Sequence, residues 1–166
     1  DTYEFYVGED ASSVVSKLLG NFNDKWSDSY ASRARELNMS MDDVITLASI
    51  VQKEDSNPDN MAVIASVFYN RMNNGMPLQS DATMGYVLDH AVEAEDLEID
   101  SPYNTYLNYG LTPTPICNPG IASINAALLP ESTGYYYYAL DTATGTHRFF
   151  TNETEFNNFV ATQDYS

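Results

Sequence analysis

The segment between Ser40 and Pro58 is bounded by two helix-boundary signals, which fix the position of one helix in the chain. Ser40 followed by Asp43 matches a capping box in which aspartate replaces the usual glutamate or glutamine. The sequence Ser56-Asn57-Pro58 ends the helix, because proline disfavours helical geometry in the residue before it. We therefore predict a helix over residues 41–55.

This helix carries a carboxylate on the side that should be apolar. Leu47, Ile50 and Val51 recur at spacings of three and four residues, which places them on one side of the helix, and Glu54 continues the same stripe. Burial removes solvation from a carboxylate and raises its pKa, as a general acid working near neutral pH requires. Alternatively, Glu54 points into water or pairs with Arg71, and Asp55 is an exposed helix-end acid.

Helical spacing of apolar residues also predicts helices on both sides of this segment. The first helix begins at Asp10 or Ser12 and presents one buried stripe, formed by Val14, Val15, Leu18, Leu19, Phe22, Trp26 and Tyr30. A third helix covers residues 58–72 and stops at Asn73-Asn74-Gly75. Shorter helices are expected over residues 82–88 after an Asp81 N-cap, over 121–129, and over 153–161 after a cap at Thr151 or Asn152.

The second half of the chain contains the irregular and extended segments. Residues 90–119 are rich in acidic residues and then in proline, which predicts a rigid, irregular loop. Residues 135–140 (YYYYAL) and 147–150 have strong β character and are joined by a hairpin turn over 141–146. The predicted fold class is therefore α+β, mostly helical, with a small antiparallel hairpin near the C-terminus.

Composition excludes several classes of function. Seven Lys and Arg against 24 Asp and Glu give a formal net charge of −17, which repels nucleic acid and anionic lipid. The single cysteine, Cys117, allows neither an internal disulfide nor a thiolate metal cluster. His90 and His147 lack zinc-ligand spacing. We expect neither a metal nor a cofactor.

Two polar loops supply candidate substrate-binding groups. One combines amide, hydroxyl and carboxyl groups, and the other alternates aromatic rings with hydrogen-bonding groups, a mixture that suits sugars. The candidates are Gln79, Ser80, Asp81 and Thr83 in the first loop, Tyr103, Asn104 and Tyr106 in the second, and Asn70 and Arg71 late on the third helix. The alternatives are turn, cap and core roles for the loop residues and a surface salt bridge for Arg71.

Five blocks in order carry a family resemblance. They are residues 47–54 (LASIVQKE), 64–71 (IASVFYNR), 75–83 (GMPLQSDAT), 101–106 (SPYNTY) and 110–120 (GLTPTPICNPG). Together they resemble the catalytic domain of the endolytic murein transglycosylases, the MltG or YceG-like family. The resemblance extends over nearly the whole chain, so residues 1–166 are expected to form one catalytic domain.

The resemblance implies a lyase that cleaves the MurNAc–GlcNAc bond of nascent peptidoglycan strands and leaves 1,6-anhydro-MurNAc ends. It implies a location on the outer face of the cytoplasmic membrane, with an N-terminal anchor helix and a LysM-like region that lie outside this chain. Penicillin-binding proteins and other cell-wall synthesis proteins become candidate partners. The family's catalytic glutamate falls on Glu54. One carboxylate suits lytic cleavage, in which the sugar O6 hydroxyl attacks, whereas a hydrolase typically needs two.

Two positions depart from the family pattern. Gln52 replaces a glutamate that many relatives carry, and Ala82 replaces a common proline. Gln52 should lie on a different side of the helix from Glu54, so we expect this change to be tolerated. Two other functions stay open: a non-catalytic glycan-binding or scaffold module of the cell-wall synthesis machinery, and a muramidase-type hydrolase with Asp81 as its second carboxylate.

Overall fold

The computed structural model describes residues 1–165, which divide into two units at Asn38. The N-terminal unit, Asp1–Asn38, contains α1 (Ala11–Lys25) and α2 (Asp28–Glu36). Asp10 caps α1 as expected, since its side chain accepts a hydrogen bond from the Ser13 amide at 3.0 Å. Asn38 has a left-handed φ of 56°, which asparagine tolerates better than most residues.

The single buried stripe predicted for the first helix is wrong. The helix ends at Lys25, and Ser27 caps a separate helix by accepting a hydrogen bond from the Tyr30 amide at 3.3 Å. None of the α1 residues is buried. Within the predicted stripe, Val15 is 51% exposed and Leu19 is 57% exposed. The physical reason is size: two short helices offer too little apolar surface to cover such a stripe.

The second unit, which begins at Met39, is built on α3 (Met41–Glu54), α4 (Pro58–Asn73) and α6 (Ile121–Leu128). These three helices pack against one another and form the core, with Leu47, Ile50, Val51, Ile64, Phe68 and Leu128 fully buried. The Ser40–Asp43 capping box is present in both directions, at 3.1 and 2.8 Å. The predicted apolar face of α3 is therefore confirmed.

A short helix and an irregular stretch follow. The helix α5 (Asp81–Gly85) is shorter than predicted, and its N-cap is Ser80 rather than Asp81, which is the first helical residue. The prediction of an Asp81 cap is wrong, because Ser80 supplies the extended residue before the helix. Between α5 and α6, the only regular element in the described chain is a 3₁₀ helix, Ala94–Glu98. The proline-rich segment is irregular, as its composition predicts.

The C-terminal hairpin pairs β1 (Tyr137–Asp141) with β2 (Thr146–Phe150) in antiparallel register, and α7 (Glu153–Val160) follows, capped by Asn152. The ring of Tyr138 meets Phe68 of α4 edge-to-face at 6.2 Å, so the inner side of β1 rests on the helical core. The α+β fold class is confirmed. None of the helices in residues 1–165 combines the length and the apolar character needed to cross a bilayer.

Candidate active site

Glu54 is the last residue of α3, and two hydroxyl groups hold its carboxylate. Ser80 donates to Oε1, and the Tyr138 hydroxyl is a second hydrogen-bond partner. Burial raises the pKa of Glu54 above its ordinary value, and the bonds from Ser80 and Tyr138 oppose that shift without cancelling it. The negative charge of Asp81 adds to the rise. The residue as a whole is half-buried, and its raised pKa favours a carboxyl group that holds a proton.

Tyr138 was not among the residues expected at the site, because the tyrosine run reads as core and sheet. Burial raises the pKa of Tyr138 well above its usual range, and the nearby charge of Glu54 adds to the effect. The phenol therefore stays protonated and donates toward the carboxylate. A hydroxyl on alternate tyrosines of a strand is the only sequence signal for this role, and it does not reveal which tyrosine reaches Glu54.

A set of threonine contacts positions Ser80. The Ser80 amide donates to Oγ1 of Thr105 at 3.0 Å, and the Thr83 hydroxyl donates to the Ser80 carbonyl at 2.7 Å. The two threonine hydroxyls lie 3.0 Å apart, and Ser80, Thr83 and Thr105 are all buried. The preceding residue, Gln79, has a left-handed φ of 53°, a strain of roughly 1–2 kcal/mol for a residue other than glycine. The loop thus presents Ser80 to Glu54 in a fixed geometry.

Arg71 holds the same loop through hydrogen bonds to residues 77–79. Its Nη1 donates to the carbonyls of Pro77 and Leu78, both at 3.0 Å, and to Oε1 of Gln79 at 2.9 Å. Its Nε donates to the carbonyl of Tyr136 at 2.6 Å. Only 6% of Arg71 is exposed, so the surface salt bridge is wrong. Within residues 1–165, Arg71 also forms no ion pair with Glu54. Arg71 therefore joins the loop that carries Ser80 to the hairpin that carries Tyr138.

Asn70 and Asn104 direct their amides to the backbone. Asn70 Nδ2 donates to the carbonyls of residues 133 and 135 at 3.0 and 2.9 Å. Asn104 is fully buried, donates to the carbonyls of residues 97 and 99 at 2.9 Å, and accepts from the Tyr106 amide at 2.9 Å. Both residues organise the segments around the site. A substrate contact by either of them stays a prediction.

Asp81, Tyr103 and Tyr106 lie along the two polar loops. The Tyr106 hydroxyl donates to Asp81 Oδ1 at 2.6 Å, and the side chain of Asp81 is exposed. The Tyr103 hydroxyl lies 2.7 Å from the hydroxyl of Thr114, and its ring contacts that of Tyr86 at 5.1 Å. Both tyrosines are partly exposed, so their role as sugar-stacking platforms stays a prediction.

Asp55 pairs with a histidine from the hairpin. Its Oδ2 lies 2.8 Å from His147 Nδ1 and accepts from Asn60 at 2.7 Å, and its Oδ1 accepts from the Asn57 amide at 2.7 Å. The Asp55 and His147 side chains are only 12% and 14% exposed, so the expectation of an exposed helix-end acid is wrong. Burial alone would raise the pKa of Asp55, but the three hydrogen bonds outweigh it and lower the pKa. His147 also meets Tyr138 edge-to-face at 5.5 Å.

Gln52 lies on another side of α3, as its offset predicts. Its Oε1 accepts hydrogen bonds from the Gly120 amide at 3.1 Å and from the Ser123 hydroxyl at 3.2 Å. These donors belong to the N-terminal end of α6, where a helix has amides without intrahelical partners. Gln52 therefore fastens α3 to α6 and takes no part in the contacts around Glu54.

A pocket of about 330 Å³ lies at the end of α3 next to α5. Lys53, Ala82, Gly85, Tyr86 and Ile116 line it. Among residues 1–165, no group of three or more His, Cys, Asp or Glu side chains has an arrangement that could hold a metal ion.

The chain matches several known proteins over most of its length. The model of the YceG-like family matches residues 1–162. A Bacillus subtilis (strain 168) protein named endolytic murein transglycosylase is 39% identical over 140 residues, which cover 82% of this chain and 39% of that protein. A Streptococcus pneumoniae serotype 2 (strain D39) protein of the same name is 30% identical over 168 residues, 96% of this chain and 30% of that protein.

A crystal structure agrees with this match. A yceG-like protein from Listeria monocytogenes is 35% identical, with a TM-score of 0.85, over 95% of this chain and 52% of that one. The chain spans less than half the length of the curated relatives it matches. The family match over residues 1–162 includes the segments that carry Glu54, Ser80 and Tyr138, and the chain belongs to the YceG-like family.

Proposed function

We propose that this chain is the catalytic part of an endolytic lytic transglycosylase that cleaves the MurNAc–GlcNAc bond of peptidoglycan strands and leaves 1,6-anhydro-MurNAc ends. The observation that carries the proposal is the environment of Glu54: a partly buried carboxylate with a raised pKa, held by the hydroxyls of Ser80 and Tyr138. The names of the relatives from Bacillus and Streptococcus support this choice of reaction.

In the first step, protonated Glu54 gives its proton to the glycosidic oxygen as the bond from that oxygen to C1 of MurNAc breaks. Positive charge develops at C1, and the leaving GlcNAc takes the proton as a hydroxyl hydrogen. The raised pKa of Glu54 keeps a larger fraction of the acid form available near neutral pH than an exposed glutamate would have.

In the second step, the O6 hydroxyl of the same MurNAc attacks C1, and the Glu54 carboxylate accepts the O6 proton. The new C1–O6 bond closes the anhydro ring, and Glu54 returns to its acid form, so no water and no protein nucleophile are consumed. The Ser80 and Tyr138 hydroxyls stabilise the carboxylate between the two proton transfers, because a hydrogen bond is stronger to a charged acceptor.

The proposed substrate also determines where the chain acts and which proteins are its candidate partners. Peptidoglycan lies outside the cytoplasmic membrane, so the chain would act extracytoplasmically, on the outer face of that membrane. An N-terminal anchor and a LysM-like region of a longer protein would hold it there. The net charge of −17 disfavours nucleic acid as a partner. Penicillin-binding proteins and other cell-wall synthesis proteins are the candidate protein partners.

The test is product analysis on uncrosslinked glycan strands by mass spectrometry, with wild type, Glu54→Gln and Glu98→Gln. Glu98 is an exposed glutamate on the 3₁₀ helix and serves as the matched control. We expect anhydro ends from wild type and Glu98→Gln, and none from Glu54→Gln. Full activity of Glu54→Gln would contradict the mechanism. Reducing MurNAc ends would indicate a hydrolase, with Asp81 as the second carboxylate. If the full-length protein also shows no cleavage, the scaffold alternative is favoured.

A further inference from the structure

The 330 Å³ pocket is lined by residues that are close in sequence to those of the proposed catalytic site. Lys53, which lines it, directly precedes Glu54 in the last turn of α3. Ala82, which also lines it, follows by two residues Ser80, whose hydroxyl bonds Glu54. The same two segments, the end of α3 and residues 80–82, therefore contribute both to the pocket and to the surroundings of Glu54.

Lys53 differs from the other cations of this unit. Arg71 is buried against carbonyls, and the guanidinium of Arg148 lies over the Phe159 ring at 5.0 Å. In the described part of the chain, no carboxylate pairs with the Lys53 ammonium, although the protein has 24 Asp and Glu. The positive charge of Lys53 acts on Cys117, because it opposes the rise that burial causes in the pKa of that thiol. An unpaired cation at a pocket is available to an anionic ligand.

We propose that this pocket is a subsite for a carboxylate-bearing substituent of the glycan strand, which the Lys53 ammonium binds. The inference rests on the proposed function, since MurNAc carries a lactyl group that ends in a free carboxylate or continues into an acidic peptide. Tyr86, whose ring contacts Tyr103, gives the pocket an aromatic wall beside the cation. The volume lies at the lower end of the range for small-ligand sites and fits one short substituent rather than a sugar chain.

The neighbouring charges make the proposal specific. Asp81 directly precedes the lining residue Ala82 and is exposed, so its carboxylate disfavours an anionic ligand nearby. Lys53 offsets this repulsion. Without the ammonium, the site should lose its preference for anionic strands or turn it toward neutral ones.

Lys53 also has a simpler role, because a cation in the last turn of a helix stabilises the helix dipole. That role does not depend on the charge of the substrate, and arginine would preserve it. The experiment must therefore vary the substrate charge and the side chain together.

The experiment compares three strands of equal length: peptide-bearing strands, the same strands with their carboxylates converted to methylamides, and stem-free strands with the lactyl acid exposed. Wild type, Lys53→Met and Lys53→Arg are assayed for kcat/KM of anhydro-end formation. We expect wild type to prefer a carboxylate strand roughly tenfold, the scale of one charge-assisted hydrogen bond. Lys53→Met should lose this preference, and Lys53→Arg should keep most of it.

Which carboxylate strand is preferred identifies the source of the anion, the peptide stem or the lactyl group. The subsite is overturned if wild type shows no preference for either, or if Lys53→Met lowers kcat/KM equally on carboxylate and methylamide strands.

Equilibrium binding of the same strands to Glu54→Gln and to Glu54→Gln/Lys53→Met separates this inference from the catalytic proposal. A preference for carboxylate strands that disappears with Lys53 supports the subsite even if wild type cleaves nothing. Equal affinities of the two proteins for carboxylate strands overturn the subsite even if wild type is a lytic enzyme.

Discussion

The Ser80 hydroxyl donates a hydrogen bond to Oε1 of Glu54 although 26 residues separate them, and the backbone of Ser80 is itself tied to buried Thr105. The proposed acid is thus held by a loop that is held in turn by a second loop. The charge state of Glu54 should therefore respond to changes both at its direct partners and one contact away.

Tyr138→Phe removes the second hydroxyl at Glu54 and keeps the ring that packs on Phe68. We expect kcat to fall about 10- to 100-fold, because the carboxylate formed between the two proton transfers loses a donor. Thermal unfolding should change little. Tyr136→Phe is the control, since the Tyr136 hydroxyl accepts a hydrogen bond from the Asn74 amide at 3.1 Å. An equal loss in that variant would count against a specific role for Tyr138.

Ser80→Ala tests the pH dependence. The Ser80 bond favours the charged form and lowers the pKa of Glu54, so its removal should raise that pKa further. The acid form of Glu54 then persists to higher pH, and the alkaline limb of the profile of kcat against pH should shift to higher pH. A profile that falls in height without moving along the pH axis would show that Ser80 does not tune Glu54.

Glu54→Gln should change stability in a pH-dependent way. Because the pKa of Glu54 is raised by folding, the wild type is most favoured at low pH and loses stability as pH rises through the folded-state pKa. The variant lacks this loss, so its Tm should exceed that of wild type at pH 8 and match it near pH 4, with about 2–4 °C for each kcal/mol. Glu98→Gln is the control, and an equal pH-dependent gain in its Tm would contradict the assignment of the effect to Glu54.

Asp55→Asn should have the opposite pH dependence. Folding lowers the pKa of Asp55, so its contribution is present above the unfolded-state pKa and is lost as pH falls through the lower folded-state value. We expect the variant to be about 1–3 kcal/mol less stable at pH 7, because the buried His147 ring loses a charged partner. Denaturant titrations at pH 7 and pH 3 should show the difference shrinking, and a constant difference would contradict this.

Thr105→Val removes the acceptor for the Ser80 amide with almost no change in shape. We expect kcat to fall with little change in KM, since Thr105 is buried, with only 2% of the residue exposed. Thr112→Val is the control, because it deletes a buried hydroxyl that bonds the Thr114 carbonyl in the same irregular segment. If both variants lose the same stability and the same activity, Thr105 has no special effect on Glu54.

Local sequence signals predicted the helix of the site well. The Ser40–Asp43 box and the proline at 58 mark both ends of α3, and the spacing of its apolar residues places Glu54 beside the core. These signals act within a few residues, so one sequence is enough to show them.

Contacts between distant segments could not be predicted in the same way. Nothing near Tyr138 distinguishes it from the three preceding tyrosines, and Thr105 looks like any turn residue between Asn104 and Tyr106. Asp55 was expected to be exposed because its partner, His147, is 92 residues away. The prediction of a buried stripe on the first helix was wrong for a related reason. Apolar spacing shows which side of a helix could be buried, but not whether another surface covers it.

The contact of Gln52 with Gly120 links two positions that are far apart in the chain. A Cβ added at Gly120 would lie 3.2 Å from Gln52 Oε1, closer than most real Cβ contacts. A side chain at residue 120 therefore requires the Gln52 side chain to shift by a few tenths of an ångström, away from the amide that it accepts from. Among homologues, we expect the two positions to be inherited as a pair, so that drift at one is followed by drift at the other.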